Sequence, residues 1–287
     1  MKQSLLPKGL VPIVLALSCV LSSGCSVTRD RPAKEELGLA LAGIAGSDGV
    51  TFKGSTLLTK GGRAVPESLL FYEGTVKDHK KVNLYVRLPD QFSSTQRTAN
   101  NTKELRSSTA SMKSYHSQLE KIEGKWIALN TEEISEDRNP LALLNPLQQL
   151  ERLEFMDKKV TEEASAGRGA NVLRIELTPA EARKQLSAEL EKEMKELRPN
   201  NPAYAEKNTD TTQRVSRALE ELWQKKNNEL QQRLKQADVE TVYYLTVDTK
   251  HNLPRRLTLN RKVTYRGEMK EADNETYVSQ VDFTEYQ

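Results

Sequence analysis

Cysteine, histidine and long apolar runs are all scarce in this chain of 287 residues. The two cysteines, Cys19 and Cys25, exclude a disulfide framework and a cysteine-rich zinc site. The three histidines, His79, His116 and His251, lie in or beside turn-like and polar stretches without a His-x-x-x-His or Glu-flanked spacing, so they read as solvated residues and no metal site is expected. Gly61-Gly62 and Gly167-Arg168-Gly169 come nearest to phosphate loops, but neither precedes a helix or ends in Gly-Lys-Ser/Thr. Both read as hairpin turns, and no cofactor is expected. The carboxylate neighbours Glu132-Glu133 and Glu162-Glu163 read as solvated rather than as an acid/base pair. No constellation for catalysis emerges, and the chain is expected not to be an enzyme.

Charge of one sign is lacking too. Without Lys2 and Lys8 the 43 basic residues fall to 41 against 40 acidic ones, a net charge of +1, which gives no reason to expect a nucleic-acid partner. A composition 37% hydrophobic and 29% charged is polar for a globular protein yet well clear of the disordered extreme.

The one pronounced apolar run sits near the start. Residues 10–21 are almost wholly apolar and follow Lys2 and Lys8, the layout of a signal peptide. About 12 residues at ~1.5 Å each make roughly 18 Å of helix, short of the ~30 Å hydrocarbon core of a bilayer. Small residues follow, in the stretch Leu21-Ser22-Ser23-Gly24-Cys25. This stretch resembles the lipobox of bacterial lipoproteins, although Ser22 stands where that family favours leucine and Leu21 lies one step further out. The resemblance implies cleavage by signal peptidase II between Gly24 and Cys25 and a diacylglyceryl group on the Cys25 thiol. A palmitate-type chain on the new amino terminus can add a third anchor. Each buried CH₂ contributes about 0.8 kcal/mol, so such an anchor is durable without a spanning helix. It also accounts for the single thiol left in an exported chain. The expected organisation is a lipoprotein signal peptide over 1–24, a lipidated tether over 25–33 and a domain over 34–287. That domain would sit on the extracytoplasmic face of the cell membrane. Ser26, in place of aspartate, would permit sorting to an outer membrane.

Within the domain, periodicity predicts a helix over 34–45, then a meander of strands over 50–58, 69–76 and 82–88. Residues 91–111 read as a polar loop or exposed strand. A hairpin turns at Glu123-Gly124 and sends Trp126 and Ile127 to opposite faces. Residues 139–155 read as two short helical pieces broken by Pro140 and Pro146, followed by a hairpin over 159–177. Thr178-Pro179-Ala180-Glu181 combines an N-cap, a first-turn proline and a capping-box glutamate, predicting a helix to about Leu197. A second helix over 211–236 makes 179–237 a helical insertion that lies on the sheet or projects from it. Strands starting at Val239, near Leu257 and near Tyr277 close the chain. Arg255-Arg256 and Arg261-Lys262, on neighbouring strand positions, should divide between the two faces and form no single basic patch.

This order of elements resembles the LolA/LppX-like fold of bacterial lipoprotein carriers and lipid-binding lipoproteins, most of all in the closing block VYYLTVDTKHNLPRRLTLN followed by ETYVSQVDFTEYQ. The resemblance implies an α+β fold in which a strongly curved antiparallel sheet, a half-barrel, is covered by helices. Asn139-Pro140-Leu141 with the leucines after it would plug the concave face. It implies an apolar or lipid ligand in the concavity, with Phe71, Trp126, Leu143, Leu147 and Tyr243 as candidate lining residues, or else a filled core. In the second case the chain is a structural or interaction lipoprotein in an envelope or spore assembly. Its partner would be an envelope protein met through a sheet edge or through Trp223 and Leu230 of the 211–236 helix. An envelope hydrolase is the least supported reading.

Overall fold

The computed structural model describes residues 31–87, 114–129, 143–163, 167, 169–199, 210–265 and 274–287. Gly24 and Cys25, the stretch 91–111, the Glu132-Glu133 pair and Asn139-Pro140-Leu141 lie outside the described residues. Residues Ala33–Gln287 form one compact body.

Helix α1 (Ala33–Ala45) leads into β1 (Gly49–Lys60), β2 (Arg63–Lys77), β3 (Lys81–Arg87), β4 (Ser114–Ile122) and β5 (Lys125–Ala128). Helix α2 (Pro146–Phe155) separates these from β6 (Lys158–Glu163) and β7 (Ala170–Leu177), and helices α3 (Pro179–Glu196) and α4 (Asp210–Gln236) precede β8 (Ala237–Asp248), β9 (Leu253–Tyr265) and β10 (Glu275–Thr284). All ten strands form one antiparallel sheet in the order β5-β4-β3-β2-β1-β10-β9-β8-β7-β6. Each half is a meander, and the halves join where the first strand pairs with the last, Phe52 opposite Phe283. The sheet is open, with β5 and β6 as its edges. The fold is therefore α+β, as expected.

Local chemistry explains the element ends. Gly61 and Gly62 (φ 55° and 73°) make the β1–β2 turn, and Glu123 and Gly124 (φ 49° and 79°) the β4–β5 turn. Positive φ at both central residues matches the twist of a tight hairpin. Pro146 starts a helix instead of breaking one, because Asn145 caps α2 by accepting from Leu147 N at 3.1 Å and a proline at the first helical position loses no intrahelical bond. Thr178 Oγ1 accepts from Glu181 N at 3.4 Å, as its cap role requires. Its own N–H donates to the Asp157 carbonyl at 3.1 Å, tying α3 to the start of β6.

The curvature follows from α2. Glu151 accepts from Lys121 Nζ of β4 at 2.9 Å and from Trp126 Nε1 of β5 at 3.1 Å. The next residue, Arg152, lines a cavity with side chains of β1, β8, β9 and β10. In a flat sheet β4 and β8 would lie about 29 Å apart at ~4.8 Å per strand, whereas α2 is itself only about 15 Å long. The sheet must wrap around the helix. Its bend is built into β1 and β2, where Gly54 faces Tyr72 and Gly74 faces Phe52 across the ladder, and a register shift falls between Thr56 and Leu58. Glycine kinks and bulges are how a sheet curves without strain.

The core fills the concave side: Phe52, Leu84, Leu119, Leu150, Leu153, Leu173, Ile175 and Leu245 are fully buried. Helix α1 packs on β6, β9 and α2, and α3 on β7 and β8. Helix α4 rests on α3 and β9, with Leu234 buried and Leu230 against the core, so the insertion lies on the sheet. Trp223 also faces inward, its Nε1–H donating to the Met194 carbonyl at 2.7 Å with Arg198 over its ring. Trp223 and Leu230 are both half-buried in the packing of the insertion.

Candidate binding cavity under the third helix

The buried face of the sheet is not uniformly apolar. Strand register aligns Thr241 of β8, Arg261 of β9, Tyr277 of β10 and Leu58 of β1 in one row, and Tyr243, Leu259, Ser279 and Thr56 in the next. Thr56, Thr241, Arg261 and Ser279 are buried. Above these rows lies the face of α3 that carries Gln185, Leu186, Glu189, Leu190 and Glu193. Between helix and sheet is a cavity of about 320 Å³, closed on a third side by Leu143, Gln149 and Arg152. That volume stands at the lower end of the range for small-molecule pockets.

Its chemistry centres on one ion pair. Arg261, 6% exposed, donates from both terminal nitrogens to Glu189 of α3, at 2.7 and 3.4 Å. Burial would lower the arginine pKa, and the Glu189 carboxylate more than offsets that, so the group stays firmly charged. Its Nε has no hydrogen-bond partner, nor has Thr241 Oγ1 beside it. The Tyr243 hydroxyl exchanges hydrogen bonds with the Gln185 amide, the shorter at 3.1 Å, and burial pushes its pKa up. At the far end Glu275 accepts from Tyr265 Oη at 3.3 Å and pairs with Arg233 at 3.8 Å and Lys60 at 3.9 Å. Leu58, Leu186, Leu190, Leu259 and Val263 supply apolar wall between the polar groups.

Tyr243 and Leu143 line this cavity. Leu147, on the adjoining face of α2, is part of the packed core. Trp126 is half-buried against Glu151 at the β4–β5 end. Phe71 is 45% exposed, because Tyr72, Gly74 and Val76 take the inward phase of β2 and leave Phe71 on the outer face. Of the two arginine pairs, Arg261-Lys262 divides between the faces as alternation requires. Arg255-Arg256 does not: a bulge shifts the register between Thr246 and Val247, and both arginines end exposed. They pair with different carboxylates, Arg255 with Asp248 and Arg256 with Asp282.

Sequence reading missed Arg261, Glu189 and Arg152. The signal for the first was present: Leu257, Leu259, Arg261 and Val263 share one phase of β9, and a charge in the buried phase of an alternating strand demands a partner. His79 and His251 lie in separate turns beside Asp48 and Asp248 at 3.2 Å each, and His116 stacks on Tyr85 with ring centroids 4.5 Å apart. Among the described residues no group of three His, Cys, Asp or Glu side chains could hold a metal, and no helix is long and apolar enough to cross a membrane.

No family model and no curated protein matches the chain. Among solved structures it is similar to LprF from Mycobacterium bovis (TM-score 0.32, 8% identity, 88% of this chain and 92% of that one). It is also similar to a LolA superfamily protein from Nitrosomonas europaea (TM-score 0.24, 8% identity, 90% and 93%) and a DUF1329 family protein from Desulfovibrio piger (TM-score 0.23, 10% identity, 89% and 92%).

Proposed function

We propose that this protein is a non-enzymatic binding protein, tethered by an acylated Cys25 to the extracytoplasmic face of the cell membrane, that holds an apolar or amphipathic envelope molecule between α3 and the concave face of its sheet. The observation that carries this reading is the cavity of about 320 Å³ roofed by α3, whose walls set aliphatic side chains among charged, amide and tyrosine ones. In ligand sites apolar area supplies affinity and polar groups fix orientation, and this lining offers both. A core meant only to pack leaves few voids larger than a water molecule. Native mass spectrometry of the protein released gently from membranes tests the reading: a lipid-sized adduct is expected, and its loss when Leu190→Trp fills the cavity. A spectrum of bare protein from several extractions would defeat it.

One observation favours a second role for the same body. Val215, Leu219 and Leu222 follow helical spacing along one flank of α4 and are each about half exposed. This stripe, rather than Trp223 and Leu230, is the surface through which an envelope protein would be met. Leu219→Ser with Leu222→Ser should abolish capture of such a partner and leave the cavity ligand in place.

A further inference from the structure

The charges around the cavity do not cancel locally. Glu189 is taken up by Arg261, and Glu275 by Lys60, Arg233 and the Tyr265 hydroxyl. Arg152 remains. It is half-buried on α2, it lines the cavity, and among the described residues no carboxylate lies within ion-pair distance of it. It also stands close enough to the Tyr243 hydroxyl to act on it electrostatically, as Arg261 does. Two guanidinium groups therefore act on the Tyr243 end, where Thr241 Oγ1 and Arg261 Nε still lack partners. A guanidinium at the cavity wall with no carboxylate paired to it keeps its donors available to an anion that enters.

We propose that the cavity selects an amphiphile by its anionic end: a carboxylate or phosphate head received by Arg152 beside Arg261, with the tail along Leu58, Leu186, Leu190 and Val263. This rests on the binding role proposed above. Guanidinium groups suit such a head because their planar donor fork matches two oxygens at once. The leucines make a bare anion the poorer occupant, since it would leave the apolar wall facing water.

The test uses the full chain carrying Cys25→Ser, so that no acyl anchor of its own competes for the cavity. Binding of decanoate, decanol and inorganic phosphate is measured by calorimetry near pH 7. Decanoate is expected to bind at least about tenfold tighter than either of the others, the scale of a charge-assisted hydrogen-bonded pair. Arg152→Gln should lower decanoate affinity about tenfold while leaving decanol binding and thermal unfolding unchanged. Equal affinity for decanoate and decanol would overturn the head-group assignment and leave the binding role standing. Phosphate binding as tightly as decanoate would overturn the amphiphile. An Arg152→Gln loss shared equally by decanoate and decanol would assign Arg152 to packing. Failure of both decyl compounds to bind would overturn this inference and the binding role together.

Discussion

The ring of Phe52 lies across Gly74 of the neighbouring strand so closely that a Cβ at residue 74 would stand 2.5 Å from Phe52 Cζ and run into the Asn83 carbonyl oxygen. One step along the same ladder the Tyr72 ring covers Gly54 in the mirror arrangement, and the two rings meet at 6.4 Å between centroids. Aromatic cover over a strand glycine recovers the packing that the missing side chain gives up, and it lets two strands bend together. Gly74→Ala should therefore cost about 1–3 kcal/mol, since neither the Asn83 backbone nor a fully buried ring can move freely. Gly38→Ala is the contrasting case, in α1 with nothing within 4 Å of the added Cβ, and should gain about 0.5–1 kcal/mol. Urea midpoints of the two variants give both signs in one experiment.

The Arg261–Glu189 pair predicts an asymmetric pair of substitutions. Glu189→Leu strands a guanidinium whose side chain is 7% exposed and should cost about 3 kcal/mol or more. Arg261→Met strands a carboxylate whose side chain is 22% exposed and still reaches water, so the loss should be smaller. Combining the two should recover much of the loss, with a coupling of about 1–3 kcal/mol. Additive losses in denaturant unfolding would show that the two side chains act independently.

The contrast between those two sites shows what the sequence made legible. Strands and helices could be placed because Val82, Leu84 and Val86 alternate and because Thr178-Pro179 announces a helix start; both signals are local. The turn at Gly61-Gly62 was equally open to reading, since only a few residue types accept its backbone angles. The cavity was not, because its walls come from five distant stretches and its ion pair joins residues 72 apart. Phe71 looked inward on hydrophobicity alone, yet the phase of β2 is set by Tyr72, which Gly54 makes room for on the next strand. Pairing across strands decided that, and no pattern within β2 records it.

Asp248 gives the fold a dependence on acid. Burial alone would push its carboxyl up, but the Arg255 guanidinium and the backbone N–H groups of His251 and Lys250 hold it down at about 2. A carboxylate bound more weakly to protons in the folded state than in the unfolded chain stabilises the fold above its unfolded pKa of about 3.9. That contribution drains away as pH falls from about 4 through 2. Asp248→Asn should thus be less stable than the parent by about 1–3 kcal/mol near pH 6, with the gap closing by about pH 2. A gap that stays constant over the same range would remove Asp248 from the acid response.

Membrane attachment is expected to depend on one sulfur atom. In the proposed tether the Cys25 thiol is the place the resemblance to the lipobox allows a diacylglyceryl group, and a thioether cannot form on serine. Two acyl chains contribute about 0.8 kcal/mol for each CH₂ buried, so the anchor they make is durable without a spanning helix. Cys25→Ser should therefore abolish incorporation of labelled palmitate and, because signal peptidase II cuts only after the cysteine is lipidated, leave the chain as a precursor larger by the uncut leader 1–24. The body should keep its thermal unfolding, because the contacts that hold Ala33–Gln287 together are internal to it. Cys19→Ser, inside the apolar run, should change neither readout. If the Cys25→Ser chain is still cut and keeps its label, the anchor lies elsewhere and the proposed tether is wrong.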